Sequence, residues 1–217
     1  MKIFVYASIV LLVVLSSCEK LNAPEVVEAK VKYSNILILG NSITQAPENK
    51  AIGWNANWGM AASKPEFDFV HLLSSKFISE NPSAKITAKN IAAFEVDYEN
   101  YDLNQLKTYT ESKPDLVIIR IGENVTQEAI GFDARYKDLI SLIKSNNPNV
   151  KIMAVGSFWG NEAADKVMAG YSEFISLKSL GTDMTNYAWG IYEDHGIASH
   201  PGDKGMKAIA EMIWAAI

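Results

Sequence analysis

The sequence predicts an α/β fold, a three-layer α/β/α sandwich around a central parallel sheet of about five strands. Three observations carry that expectation. Apolar runs of strand length recur along the chain, bounded by Gly, Pro, Asn or Asp. Stretches with apolar residues at helical spacing lie between them, and strands alternating with helices build parallel sheets covered on both faces. Residues 34–217 contain no repeat, linker or low-complexity tract, so they read as one domain.

Taken in order, Asn35-Ile36-Leu37-Ile38-Leu39-Gly40 is a continuous apolar run closing on Gly, which suits a strand buried on both sides. Phe67, Val70, Leu73 and Phe77 share one helical face, and that helix ends before Asn81-Pro82. Lys85-Ile86-Thr87-Ala88 reads as a second strand, followed by a helical stretch near residues 98–109. Pro114-Asp115 introduces Leu116-Val117-Ile118-Ile119-Arg120-Ile121, the clearest strand in the chain. Residues 134–145 form an amphipathic helix closed by Asn146-Asn147-Pro148, and residues 150–155 a further strand. Two helices are predicted after it, near residues 163–180 and 204–217.

The composition of the 217 residues, 48% hydrophobic and 21% charged, excludes collagen-like, coiled-coil and wholly disordered chains. With 20 basic against 25 acidic side chains and no run of Lys and Arg, a nucleic-acid partner is not expected. Met1-Lys2 precedes an apolar run of 13 residues, Ile3 to Leu15, and then Ser16-Ser17-Cys18. A basic start, a short hydrophobic core and small residues are the parts of a secretory signal peptide, and the core falls short of the roughly 20 residues that span a bilayer. Leu15-Ser16-Ser17-Cys18 also resembles a bacterial lipobox, in which cleavage precedes the cysteine and its thiol is acylated. Cys18 is the only cysteine in the chain. Lipid attachment gives a lone exported thiol a role and holds the protein on a membrane. The expected organisation is a signal peptide over 1–17, a polar lipidated tether over 18–33 and a domain over 34–217. Glu19 after the cysteine resembles lipoproteins not retained at an inner membrane, which implies a cell-envelope protein anchored at the outer membrane.

In open parallel sheets, ligands bind beyond the carboxyl ends of the strands. The first strand is followed by Gly40-Asn41-Ser42-Ile43-Thr44, the second by Asn90-Ile91-Ala92-Ala93, and the third by Gly122-Glu123-Asn124-Val125. Ser199-His200-Pro201-Gly202 leads into the last helix. A hydroxyl, an amide and an imidazole therefore stand at chain positions that can meet at one sheet edge.

These segments resemble the SGNH (GDSL-type) hydrolase superfamily over residues 35–215. Gly40-Asn41-Ser42-Ile43-Thr44 is similar to its first block, with Asn41 where the family often has Asp. Gly122-Glu123-Asn124-Val125 is similar to the third block, with Val125 in place of a terminal Asp. His200-Pro201, with Gly205 five residues after His200, is similar to the last. The resemblance implies a flavodoxin-like sandwich in which Ser42 is the nucleophile and His200 the base. It further implies an oxyanion hole made from the Ser42 N–H, the Ala92 N–H and the Asn124 side chain. Those roles suit the residue types: a hydroxyl needs a base to become nucleophilic, and a tetrahedral oxyanion needs fixed donors.

Two positions depart from the pattern. Ala92 stands where the family has Gly, which leaves a backbone donor in place. Ile197 stands three residues before His200, where the family usually has the Asp that orients the imidazole. A backbone carbonyl, Asp194 or Asp203 are the replacements within reach, the carbonyl being favoured and Asp194 next.

Trp54 and Trp58, set among Asn55 and Asn57, are candidate substrate contacts, since indole rings stack on sugar faces, though tryptophans commonly serve packing. Glu95 and Glu123 read as solvated charges, and His71 and His195 as surface or loop residues. No cluster of His, Cys or carboxylates has metal-ligand spacing, and no glycine loop suits a phosphate, so no metal or cofactor is expected. The expected function is a lipid-anchored serine esterase removing acyl groups, acetyl above all, from a carbohydrate. The alternatives are a lipase, thioesterase or acyltransferase on the same scaffold, or a non-catalytic glycan-binding lipoprotein, which Ile197 favours.

Overall fold

The computed structural model describes residues 33–217. The expected signal peptide, Cys18 and the tether up to residue 32 lie outside the described residues. Five strands form one parallel sheet: β1 (Asn35–Gly40), β2 (Lys85–Asn90), β3 (Leu116–Arg120), β4 (Lys151–Val155) and β5 (Glu173–Ile175), in the order β2-β1-β3-β4-β5. The helices are α1 (Phe69–Glu80), α2 (Ala92–Val96), α3 (Lys107–Thr110), α4 (Phe132–Asn146), α5 (Glu162–Ala169), α6 (Lys178–Thr182), α7 (His195–Ala198) and α8 (Asp203–Ala216). Among the described residues no helix is long and apolar enough to cross a membrane.

Strand composition sets strand position. β1 and β3 are apolar without alternation and take the centre, where helices cover both faces. β2 interleaves Lys85, Thr87 and Lys89 with Ile86 and Ala88, and it lies at an edge with Lys85 and Thr87 exposed. Successive side chains point to opposite faces. Ile36, Ile38, Leu116, Ile118, Met153 and Val155 therefore pack with Phe69, Leu73 and Phe77 of α1 and Met206, Ile209 and Ile213 of α8. Leu37, Leu39, Val117, Ile119, Ile152 and Ala154 pack on the other side with Phe132, Tyr136, Leu139 and Ile143 of α4 and Met168 of α5.

The stretch predicted as one helix near 163–180 is instead α5, β5 and α6. α5 stops at Gly170, and Phe174-Ile175 pairs with β4 as a short edge strand, Ala154 opposite Phe174. The predicted helix near 98–109 is reduced to a 3₁₀ turn, Leu103–Leu106, and the single turn of α3. Its apolar residues Tyr98 and Leu106 are buried against α4's side of the sheet, so tertiary packing rather than helix length satisfies them.

From β1 the chain crosses to β2 on one side, then returns to β3 on the other. The carboxyl ends of β1 and β3 thus form a topological switch point, the place where such sheets open a crevice. Ser42 follows β1 and Asn124 follows β3.

Candidate active site

The turn after β1 needs a glycine. A Cβ on Gly40 would stand 1.8 Å from the Thr44 Oγ1 and 2.9 Å from the Arg120 carbonyl oxygen. Asn41 shapes the turn: its carbonyl accepts the Thr44 and Gln45 N–H groups at 2.9 and 3.0 Å, and its Oδ1 accepts the Ile43 N–H at 3.1 Å. Asn41 is fully buried, and the Arg120 guanidinium donates to the same Oδ1 at 2.7 Å. Ser42 thereby stands, half-buried, in that turn.

His200 reaches that hydroxyl from the loop between α7 and α8. Its Nε2 lies 2.9 Å from the Ser42 Oγ, and its Nδ1 lies 2.7 Å from the Gly196 carbonyl oxygen. A carbonyl only accepts, so Nδ1 carries the hydrogen and Nε2 presents its lone pair to the serine. The ring is 7% exposed. Burial pulls its pKa below the usual histidine range, an effect opposed by the Gly196 bond and aided by the charge of Arg120.

Asn124 joins the site through a buried polar network. Its Nδ2 donates to the Glu95 Oε2 at 2.9 Å, and its backbone N–H to the Glu95 Oε1 at 3.3 Å. The same Oε1 accepts the Gly122 N–H at 2.6 Å and the Asn41 Nδ2 at 3.2 Å. Asn41 Nδ2 also donates to the Glu123 Oε2 at 2.6 Å, and Glu123 Oε1 accepts from Phe158 N–H at 2.6 Å and from Arg120. Glu95 and Arg120 are fully buried and the Glu123 side chain nearly so. The reading of Glu95 and Glu123 as solvated charges is therefore corrected: two carboxylates and one guanidinium form an internal cluster beneath Ser42. Burial, and next the charge of Glu123, push the Glu95 carboxyl up, against the hydrogen bonds from Asn124, Gly122 and Asn41.

No protein-family model and no curated protein matches the chain. Solved structures do. A two-domain esterase (CEX) active on acetylated mannans, co-crystallised with mannopentaose, is 22% identical with a TM-score of 0.55, over 84% of this chain and 49% of that one. The chain thus spans about half the length of that esterase. An extracellular lipase from Streptomyces rimosus is 14% identical with a TM-score of 0.54, over 85% of this chain and 100% of the lipase. A carbohydrate esterase family 2 enzyme from Corynascus thermopiles (Myceliophthora fergusii) is 15% identical with a TM-score of 0.54, over 84% and 65% of the two chains. The chain has the SGNH hydrolase fold.

On this scaffold, four residues expected at the site stand elsewhere or are engaged otherwise. Asp194 does not reach the imidazole: its carboxylate caps α7 by accepting the Ile197 N–H at 2.9 Å. Asp203 instead accepts from the Ser63 N–H and hydroxyl at 2.8 and 2.7 Å. The Ala92 N–H is taken by the Asn90 Oδ1 at 2.8 Å. Trp54 is not a substrate contact, being 2% exposed, with its indole N–H bonded to the Ala46 carbonyl and its ring packed among Ala61, Ala188 and Ile197. Ile197 belongs to that same apolar cluster, so an acid there would be buried. Trp58 is half-buried, donates to the Ala62 carbonyl at 2.9 Å and lines a cavity of about 270 Å³ with Thr44, Gln45, Asn57 and His71.

Trp159 is the aromatic residue beside His200 that sequence reasoning missed. Its ring stands 5.1 Å from that of His200, nearly perpendicular, and is 40% exposed; its indole N–H donates to the Ser199 carbonyl at 2.9 Å. Its signal was positional, since Phe158-Trp159-Gly160 follows β4 just as the other site segments follow their strands. Arg120 carried a signal too: a charge inside the most apolar strand must find buried partners.

Proposed function

We propose that the protein is a serine ester hydrolase in which Ser42 attacks an acyl carbonyl and His200 serves as base. The observation that carries this is the pair of distances at the imidazole, 2.9 Å from Nε2 to the Ser42 Oγ and 2.7 Å from Nδ1 to the Gly196 carbonyl oxygen. As the Ser42 oxygen bonds to the carbonyl carbon, its proton passes to Nε2, and the Gly196 carbonyl stabilises the imidazolium that results. The oxyanion is received by the Ser42 N–H and the Asn124 Nδ2–H. The tetrahedral adduct collapses as Nε2 returns its proton to the leaving alcohol, leaving an acyl-serine. Water then gives a proton to Nε2 while its oxygen attacks the acyl carbon, and the second adduct collapses as Nε2 returns that proton to the Ser42 oxygen, releasing the carboxylic acid and free serine.

The substrate we assign is an acetyl ester on a carbohydrate. Support comes from Trp159, an exposed indole beside the base, and from the likeness in fold to an esterase active on acetylated mannans and to a carbohydrate esterase family 2 enzyme. In the same reading the chain is exported and acylated at Cys18, which the sequence of residues 1–18 supports, and is held at the outer membrane, which Glu19 after the cysteine supports. The test compares wild type with Ser42→Ala on p-nitrophenyl acetate, longer-chain p-nitrophenyl esters and acetylated glycans. The expected result is activity falling with acyl length and lost in the variant. Equal rates from the two proteins remove Ser42 from the mechanism, and rates rising with chain length favour a lipase.

A further inference from the structure

We propose that Glu95 is a positioning residue that aims the Asn124 side-chain amide, fixing which end of that amide meets the developing oxyanion. The proposal rests on the hydrolase reading above and adds a residue that acts through Asn124 without touching substrate.

One carboxylate grips Asn124 at two points, side chain and backbone, at 2.9 and 3.3 Å. Two contacts to one rigid planar group fix both the position and the rotation of the asparagine. The chemistry of the grip decides more than position. A carboxylate receiving four N–H donors has only lone pairs to offer, whereas an asparagine amide has a donor end and an acceptor end. With Asn124 rotated by half a turn, its Oδ1 would face the Glu95 Oε2, lone pair against lone pair. Glu95 thus holds Nδ2 on its own side. An NH₂ group has two hydrogens; one goes to Glu95, and the other has no acceptor among the described residues, so it is left for a substrate oxygen.

Burying a carboxylate is costly, and an apolar residue on α2, beside the buried Phe94, would avoid that cost. The charge is retained at a point where its acceptor capacity is spent on Asn124, on Gly122 at the end of β3, and on Asn41 next to Ser42. One carboxylate therefore ties the amide donor to the turn that carries the nucleophile.

The experiment is Glu95→Gln in the full chain, made in the wild-type and the Asn124→Ala backgrounds, with kcat and KM on p-nitrophenyl acetate and a thermal melt of each. Glutamine has the same shape but can donate to the Asn124 Oδ1, which releases the lock. Loss of an oxyanion donor costs about 10²–10³ in kcat. Glu95→Gln is expected to lose roughly 10- to 100-fold in kcat, within that ceiling, with KM little changed and no further loss in the Asn124→Ala background. Should Glu95→Gln not fold, Glu95→Asp keeps the acceptor a methylene shorter, and a smaller kcat loss, again absent in the Asn124→Ala background, is expected. Unchanged kcat, or an equal loss in both backgrounds, overturns the proposal while leaving the hydrolase reading intact. If wild type shows no Ser42-dependent hydrolysis, that reading fails instead. The side-chain amide resonance of Asn124, assigned by its disappearance in Asn124→Ala, then decides for Glu95: it shifts in Glu95→Gln if the grip is real and stays in place if it is not.

Discussion

Replacing Arg120 by Met takes the positive charge out of the cluster beneath Ser42 while keeping much of the side-chain volume. Arg120 is fully buried, donates to the Asn41 Oδ1 at 2.7 Å and is paired with a Glu123 side chain that is itself 1% exposed. Removing one partner of a buried pair leaves the other charge uncompensated and typically costs about 3–5 kcal/mol. For a domain of this size each kcal/mol moves Tm by about 2–4 °C, so the melt falls by roughly 6–20 °C. Urea denaturation read by tryptophan fluorescence measures the loss, and the double variant Arg120→Met/Glu123→Gln isolates its origin. With the stranded carboxylate neutralised, the double variant regains at least about 1 kcal/mol over Arg120→Met. A loss below about 1 kcal/mol, or a double variant no more stable than the single, would refute the electrostatic explanation.

Three further outcomes are expected. Burial holds the His200 pKa below the ordinary 6.5 and a base must be neutral to act, so kcat/KM at pH 6.5 is still above half its plateau and reaches the half-maximum only below that pH; a half-maximum above that value contradicts the described environment. Asp194→Asn keeps an oxygen to cap α7 and leaves kcat within about threefold, where loss of a true triad acid costs about 10⁴; a collapse in kcat would restore Asp194 to the site. Trp159→Ala raises KM for acetylated glycan about five- to tenfold, in keeping with about 1–1.5 kcal/mol of ring contact, and moves KM for p-nitrophenyl acetate less; equal effects on both substrates would assign Trp159 to packing around His200.

The parts of the fold that composition alone determines were readable from the chain. β1 and β3 had to be central because Ile36 to Leu39 and Leu116 to Ile119 are unbroken apolar runs, and the segments after them had to border the switch point. β5 was hidden because Glu173, Phe174 and Ile175 are too few to display a period, and the apolar residues around them fit a helix as well as a strand. The spatial meeting of Ser42 and His200 follows from their places after β1 and before α8. The buried acids did not emerge, because Glu95 and Glu123 have polar neighbours in sequence and gain their partners only when three segments converge. Trp54 misled for the converse reason: flanking asparagines suggested an open loop, while the ring itself turns inward.

The acceptor that orients the imidazole belongs to the main chain of a four-residue helix, at Gly196. Every amino acid carries a carbonyl, so no codon change at position 196 can delete this partner; it can only be displaced. A scan that replaces side chains one by one in search of a third catalytic member would therefore return nothing, and the lesions that mimic its loss would be those that shift α7 bodily, such as a proline or a deletion between Asp194 and Ser199. The vulnerability of the base has been moved from a residue's identity to the path of the backbone.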